Sequence, residues 1–282
     1  MAADKIPQDK YLDADGLRLH YLDWGHEGAR PMLLLHGFSG HAHTWDTLAP
    51  ALCDEFHVLA LDQRGHGDSA WAPDGAYTVD DHVSDIAAFH DQLMLDPVLL
   101  IGLSMGGRNA IMFTAVHPGK VEKLVIVDIG PDIDPRGAER VRRMAAEAPE
   151  EFASLDEAMT YLKSYYPHAA DAALRHRVEH GLTRLPNGKY AWKYDKLLRD
   201  QRRQGTTPTV DLWPVVRRIK VPTLIMRGSE SDIFTIDTAK RMQELIPGSR
   251  FVEIQGAGHA IPADAPEAFE QAVREFLAAS AP

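Results

Sequence analysis

Cysteine is almost absent from this chain: among 282 residues only Cys53 carries a thiol. A single thiol cannot form an intramolecular disulfide, so packing rather than cross-linking must hold the fold, and a reducing compartment is expected. Cys53 itself reads as a buried helix thiol in preference to a nucleophile. Long apolar runs are also missing, and no segment approaches the roughly 20 residues that cross a bilayer. The first ten residues are polar and charged, without the apolar stretch of a secretory signal. A cytoplasmic location is the resulting expectation. Positive charge is scarce as well: 30 Lys and Arg face 41 Asp and Glu, for a net charge of −11. That balance argues against nucleic acid or an anionic membrane as partner, since either needs a basic face. Internal repeats and low-complexity segments are not found. What remains is an ordinary globular composition, 45% hydrophobic and 25% charged, long enough for one large core with an insertion.

Short apolar runs alternate with helical patterns along most of the chain. A polar lead and a hairpin over 11–24 come first, with a turn at Ala14-Asp15-Gly16. The run Met32-Leu33-Leu34-Leu35 is apolar without interruption, as suits a strand covered on both faces of a parallel sheet. Strands are further expected at 56–61, 98–101, 123–127, 223–226 and 250–254. Helices are expected at 44–52, at 79–93 with Thr78 as its cap, at 104–116, 238–245 and 266–278. Between about 132 and 205 the alternation stops. Helices are expected there at 135–148, 155–165 and 171–181, then a strand-like piece at 189–194 and a polar helix to 203. A helical block spliced into an α/β pattern reads as a cap over the ends of the sheet, giving a core of 1–131 and 206–282 and a cap of 132–205.

Chemistry concentrates at Gly102-Leu103-Ser104-Met105-Gly106, a G-x-S-x-G pattern between a strand and a helix. Glycines two residues to either side let backbone and helix approach where a Cβ would clash. The turn lifts the Ser104 hydroxyl clear of the sheet, and the helix N-terminus supports developing negative charge. A serine hydroxyl needs a base, and the base needs an orienting acid. His259, in Gln255-Gly256-Ala257-Gly258-His259 after the last strand, is the base. Its ordinary pKa makes it an acceptor at neutral pH and a donor one step later. Three carboxylates compete as the acid. Asp232, in Arg227-Gly228-Ser229-Glu230-Ser231-Asp232, is favoured because its strand end falls between serine and histidine in chain order. Glu230 shares that loop. Asp128 ends the preceding strand, where its alternative role is to hold the start of the cap.

These motifs, together with His36-Gly37-Phe38 and the Asp62-to-Ser69 turn, make the chain resemble the α/β-hydrolase fold superfamily, in the capped branch with small esterases and lactonases. The resemblance covers nearly the whole chain. It implies a doubly wound, mostly parallel eight-stranded α/β sheet with an inserted helical cap. It also implies carboxylic ester hydrolysis through Ser104, His259 and Asp232, with no cofactor and no metal. The superfamily's oxyanion hole carries over to the backbone N–H groups of Phe38 and Met105. The acid stands four residues after Gly228, where three is the commoner spacing, and this keeps Glu230 in play. Lactone opening, C–C bond hydrolysis, perhydrolysis and a non-catalytic binding protein share the same motifs. Epoxide hydrolases and haloalkane dehalogenases do not, because they place Asp where Ser104 stands. The resemblance makes the Asp62, Arg64 and His66 turn structural. His36, His41 and His43 cluster in sequence but lack a metal-ligand spacing.

Substrate choice falls to the cap. Tyr161, Tyr165, Tyr166, Tyr190, Trp192 and Tyr194 either form the cap's own core or grip a substrate. His36 and Trp192 are the candidate pocket residues. Positions 132–205 hold 14 basic and 12 acidic residues, about +2 against −13 for the remainder. Such an asymmetry suits a small-molecule substrate bearing a carboxylate, although a solvated helix surface explains it equally.

Overall fold

The run at 32–35 becomes the centre of β3, and its side chains divide between two hydrophobic clusters: Leu33 and Leu35 join one, Met32 and Leu34 the other. That division is the period-2 geometry of a strand with a layer packed on each face. The computed structural model describes residues 5–167 and 169–279. In chain order, the first half contains β1 (Gln8–Ala14), β2 (Leu17–Asp23), β3 (Arg30–Leu35), a short α1 (Ala49–Leu52), β4 (Phe56–Leu61), α2 (Val79–Gln92), β5 (Val98–Leu103), α3 (Met105–Val116) and β6 (Val121–Val127). A 3-10 turn, Ala42–Trp45, precedes α1, so the single helix expected over 44–52 is broken in two.

The second half begins with α4 (Pro135–Glu147), β7 (Glu151–Phe152), α5 (Leu155–Lys163), α6 (Asp171–Gly181), β8 (Leu182–Arg184), β9 (Tyr190–Trp192) and α7 (Lys196–Gln204). It closes with α8 (Trp213–Val216), β10 (Thr223–Gly228), α9 (Ile236–Leu245), β11 (Arg250–Ile254), α10 (Ile261–Asp264) and α11 (Pro266–Ala278). Eight strands form one sheet in the order β1-β2-β4-β3-β5-β6-β10-β11. β1 and β2 pair antiparallel, as do β2 and β4, and the rest of the ladder is parallel. Thr78 caps α2 in a capping box with Asp81, which fixes where that helix begins.

The inserted segment is not purely helical. β7, β9 and β8 form a three-stranded antiparallel sheet of their own. A third hydrophobic cluster sits within the insertion, centred on Phe152, Leu174, Trp192 and Tyr194, and it reaches Phe38 and Tyr77 of the core loops. The insertion therefore has its own core and is docked on the strand ends through aromatic contacts such as Phe38 against Tyr194, 5.5 Å between ring centroids. No helix among the described residues is long and apolar enough to cross a membrane.

Candidate active site

Ser104 occupies the turn between β5 and α3 with φ 53° and ψ −114°. A positive φ on a non-glycine residue costs on the order of 1–3 kcal/mol and must be imposed by its surroundings. Here the flanking glycines permit it: a Cβ on Gly102 would lie 2.4 Å from the Gly106 carbonyl oxygen, and one on Gly106 would lie 2.3 Å from that of Leu35. The backbone pins the turn, with Ser104 N–H donating to the Val127 carbonyl at 3.0 Å and Gly106 N–H to that of His36 at 3.1 Å.

His259 reaches this serine from the loop after β11. Its Nε2 lies 2.9 Å from Ser104 Oγ and its Nδ1 lies 2.8 Å from Asp128 Oδ2. A carboxylate can only accept, so the ring proton belongs on Nδ1 and the Nε2 lone pair faces the hydroxyl. Asp128 is fully buried at the C-terminal end of β6 and adopts φ 50°, which Asp tolerates better than most residues. Gly228 N–H donates to its Oδ1 at 2.9 Å, and the Ser231 hydroxyl donates to its Oδ2 at 2.5 Å. The carboxylate is thereby fixed in rotation, and with it the imidazole.

The expectation that Asp232 orients His259 is corrected by this geometry. The Asp232 carboxylate instead accepts from Nε and Nη2 of Arg140 on α4, at 2.6 and 2.7 Å. Burial alone raises the Asp232 pKa, but the bound guanidinium outweighs it and holds the carboxyl below its usual range. The Glu230 carboxylate accepts from the Ser229 hydroxyl, at 3.2 Å, and has no bond to His259 among the described residues. The reason is local. Ser231 Oγ also accepts from the N–H groups of Ile233 and Phe234, each at 3.2 Å, and this turn leaves Asp232 facing the insertion. The loop after β10 thus contributes a hydroxyl to the acid and not the acid itself. Asp128 was legible as the residue directly ending the strand beside the elbow strand; Ser231 and Arg140 carried no sequence signal.

The His36-Gly37-Phe38 loop lies against the nucleophile, so that a Cβ on Gly37 would come within 3.2 Å of Ser104 Cβ. The Phe38 N–H has no backbone acceptor among the described residues. Met105 N–H is at the first position of α3, where a helix offers no acceptor. A cavity of about 630 Å³ opens here, bounded by Ser104, His259, Leu103 and Ile129 from the core and by Val141, Met144, Tyr166 and Leu198 from the insertion.

The two pocket candidates read from the sequence fall outside that cavity. His36 is fully buried, with Nδ1 donating to the Gly37 carbonyl at 2.8 Å and Nε2 accepting from Gln63 N–H at 3.0 Å. Trp192 packs edge-on against Phe152 at 5.0 Å and donates its indole N–H to the Pro149 carbonyl at 3.0 Å. Both serve packing because each has a satisfied polar atom and a ring enclosed by neighbours. Asp62 accepts from Ala42 N–H, Asp68 N–H and His20, while Arg64 forms a fork with Asp85, so this turn is structural as expected. The histidines of the 36–43 loop separate: His41 donates to the Arg177 carbonyl, whereas His43 joins Asp46, His176 and His180. The four ligand atoms of that set lie within 4.8 Å of one another and could ligate a divalent metal ion; His20, Asp62 and Asp68 form a second such set. In the first, His43 and His176 both bind Asp46, at 2.8 and 3.1 Å, tying α6 to the core.

Comparison with known proteins agrees with this fold. The alpha/beta hydrolase fold family matches residues 30–266. An esterase of Mycobacterium tuberculosis is 31% identical over 262 residues, covering 91% of this chain and 85% of that protein. A 2-(acetamidomethylene)succinate hydrolase of Mesorhizobium japonicum is 28% identical and covers 89% of each chain. Among solved structures, that of an E-2-(acetamidomethylene)succinate hydrolase superposes with a TM-score of 0.89 at 26% identity, over 97% of this chain and 100% of the other. With its eight-stranded sheet, its insertion after β6 and a serine on the elbow, the chain belongs to the α/β-hydrolase fold family.

Proposed function

We propose that this protein is a serine hydrolase of carboxylic esters, working through Ser104, His259 and Asp128. The observation that carries the reading is the unbroken hydrogen-bond chain from Ser104 Oγ through His259 to the buried Asp128. His259 Nε2 takes the hydroxyl proton as Ser104 Oγ attacks the ester carbonyl. The tetrahedral oxyanion is held by the N–H groups of Phe38 and Met105, which have no backbone acceptor among the described residues. Asp128 stays ionised and stabilises the imidazolium. Collapse of the intermediate breaks the ester C–O bond, and His259 hands its proton to the departing alcohol. A water molecule then gives a proton to His259 and attacks the acyl-enzyme; as the acyl C–O bond breaks, His259 returns that proton to Ser104 Oγ, releasing acid and free serine. The esterase name of one relative supports an ester as substrate.

A fluorophosphonate probe tests the nucleophile. The expected result is a single adduct on Ser104 that competes with p-nitrophenyl acetate turnover. Ser104→Ala is expected to lower kcat by about 10⁴–10⁶. Full esterase activity in that variant would reject the mechanism.

A further inference from the structure

Two guanidinium groups in the cavity lack a counter-charge. Arg108 stands four residues after Ser104 on α3, so its side chain leaves the helix on the nucleophile's face. Arg202, in the last turn of α7, places Cζ 3.8 Å from the centroid of the Phe38 ring. Both line the cavity that holds Ser104 and His259. Neither guanidinium has a hydrogen bond or an ion pair among the described residues. Other partly buried arginines behave differently: Arg64 is matched by Asp85, Arg140 by Asp232, Arg199 by Glu150 and Arg227 by Glu253. A third cavity arginine, Arg177, is held by the hydroxyls of Ser39 and Tyr166 at 3.0 and 3.4 Å and not by a carboxylate.

Three further observations point the same way. Burial, and then the charge of Arg108, pull the Arg202 pKa down to about 10, while burial lowers that of Arg108; both remain cationic at neutral pH. Like charges thus share a partly desolvated space, an arrangement an anion relieves. Thr207 Oγ1 and His82 Nδ1 line the same cavity, buried and without a hydrogen-bond partner. Such orphaned atoms are rare in native proteins and call for a ligand or some other account. Finally, neither lining carboxylate pairs with these guanidiniums: Asp46 binds His43 and His176 through Oδ2 while its Oδ1 is buried without a partner, and Asp264 accepts from Gly258 N–H at 2.9 Å.

We propose that Arg108 and Arg202 form a carboxylate-binding subsite, and that the natural substrate is an anionic ester carrying a free carboxylate on the same molecule as the scissile carbonyl. A planar guanidinium matches a carboxylate in a two-point fork, and the rest of the lining is largely apolar, which favours a monoanion over a phosphate. The inference rests on the proposed acyl transfer at Ser104 for its substrate class but not for the binding site itself.

The test compares p-nitrophenyl acetate with mono-p-nitrophenyl succinate and glutarate at constant ionic strength. The wild-type kcat/KM is expected to favour an anionic ester by about 10- to 100-fold, expressed mainly in KM. Arg202→Gln is expected to reduce that ratio at least tenfold, and Arg202→Lys to restore part of it. Equal use of neutral and anionic esters by the wild type, or an unchanged ratio in Arg202→Gln, would overturn the subsite. Calorimetry on Ser104→Ala with glutarate reads binding without chemistry. Glutarate binding there that Arg202→Gln abolishes supports the subsite even if ester turnover proves absent, whereas no binding overturns it. Tighter binding of inorganic phosphate than of glutarate would overturn the assignment to a carboxylate.

Discussion

The strand ends and the inserted segment divide the site between them, and they are built on different terms. On the core side, the groups in line with Ser104 are matched: His259 by Asp128, Asp128 by Gly228 and Ser231. Around them, guanidiniums from the insertion and from α3 project into the cavity, and two of the three that line it have neither a carboxylate nor a hydroxyl partner among the described residues. A matched network gives a fixed geometry, which bond-making requires. Unmatched charge gives selectivity, because it is satisfied only when the right ligand arrives. On the proposed function, the difference separates reaction from recognition: the sheet would hold the reacting groups, and the insertion together with one arginine of α3 would sort what reaches them.

The sharpest way to break this division is to exchange the two carboxylates that the sequence could not separate. Asp128→Asn is expected to lower kcat by about 10³–10⁴, since it removes the acceptor that sets the His259 tautomer. Asp232→Asn is expected to leave kcat within about threefold, because its carboxylate serves Arg140. Steady-state kinetics on both variants with p-nitrophenyl acetate decides, and a collapse in Asp232→Asn alone would reverse the assignment.

A second experiment loosens the insertion without touching the core. Phe152 is fully buried in the third cluster, and Phe152→Ala is expected to cost about 3–5 kcal/mol of local stability. Hydrogen exchange should rise across 151–192 while fluorophosphonate labelling of Ser104 continues and KM for esters increases. Loss of Ser104 labelling together with the cap would show that the two regions are not separable.

The smallest effects concern two of the polar links between the regions, which should weaken at opposite ends of the pH scale. Asp232 has its pKa lowered by Arg140 against the effect of burial, so its contribution is present above about pH 4 and is lost as the pH falls through the lower folded value. His176 has its pKa raised, chiefly by the hydrogen bond to Asp46, so its contribution is complete below about pH 6.5 and is lost as the pH rises through the higher folded value. Both pairs are partly exposed, and each is expected to contribute at most about 1 kcal/mol. Melting temperatures of Asp232→Asn and His176→Gln against the wild type check this: the Asp232 difference should vanish in acid and the His176 difference in mild base.

Much of this was readable along the chain. Continuous apolar runs at 32–35, 98–101 and 124–127 announced strands buried on both faces, because only such strands dispense with polar alternation. Ser104 was legible because its turn needs glycine at 102 and 106, and His259 because a glycine-rich strand-end loop is where a base can reach it. Thr78 marked a helix start by residue type alone. The cap aromatics were less legible. Trp192 packs inward and Tyr166 faces the cavity, yet nothing in their spacing distinguishes them, since a tyrosine or tryptophan serves a core and a pocket equally well.

By itself, then, the amino-acid order determined the sheet and the proposed nucleophile and base, because those depend on periodicity and on backbone conformations that few residues tolerate. The identity of the acid, the partners of Ser231 and Arg140, and the pairing of Arg108 with Arg202 were decided only in three dimensions. Positions 128 and 232 are both aspartates at strand ends, and local sequence cannot say which carboxylate turns toward the histidine. That depends on the neighbouring strand, on a serine hydroxyl 103 residues further along the chain, and on an arginine in another layer of the molecule.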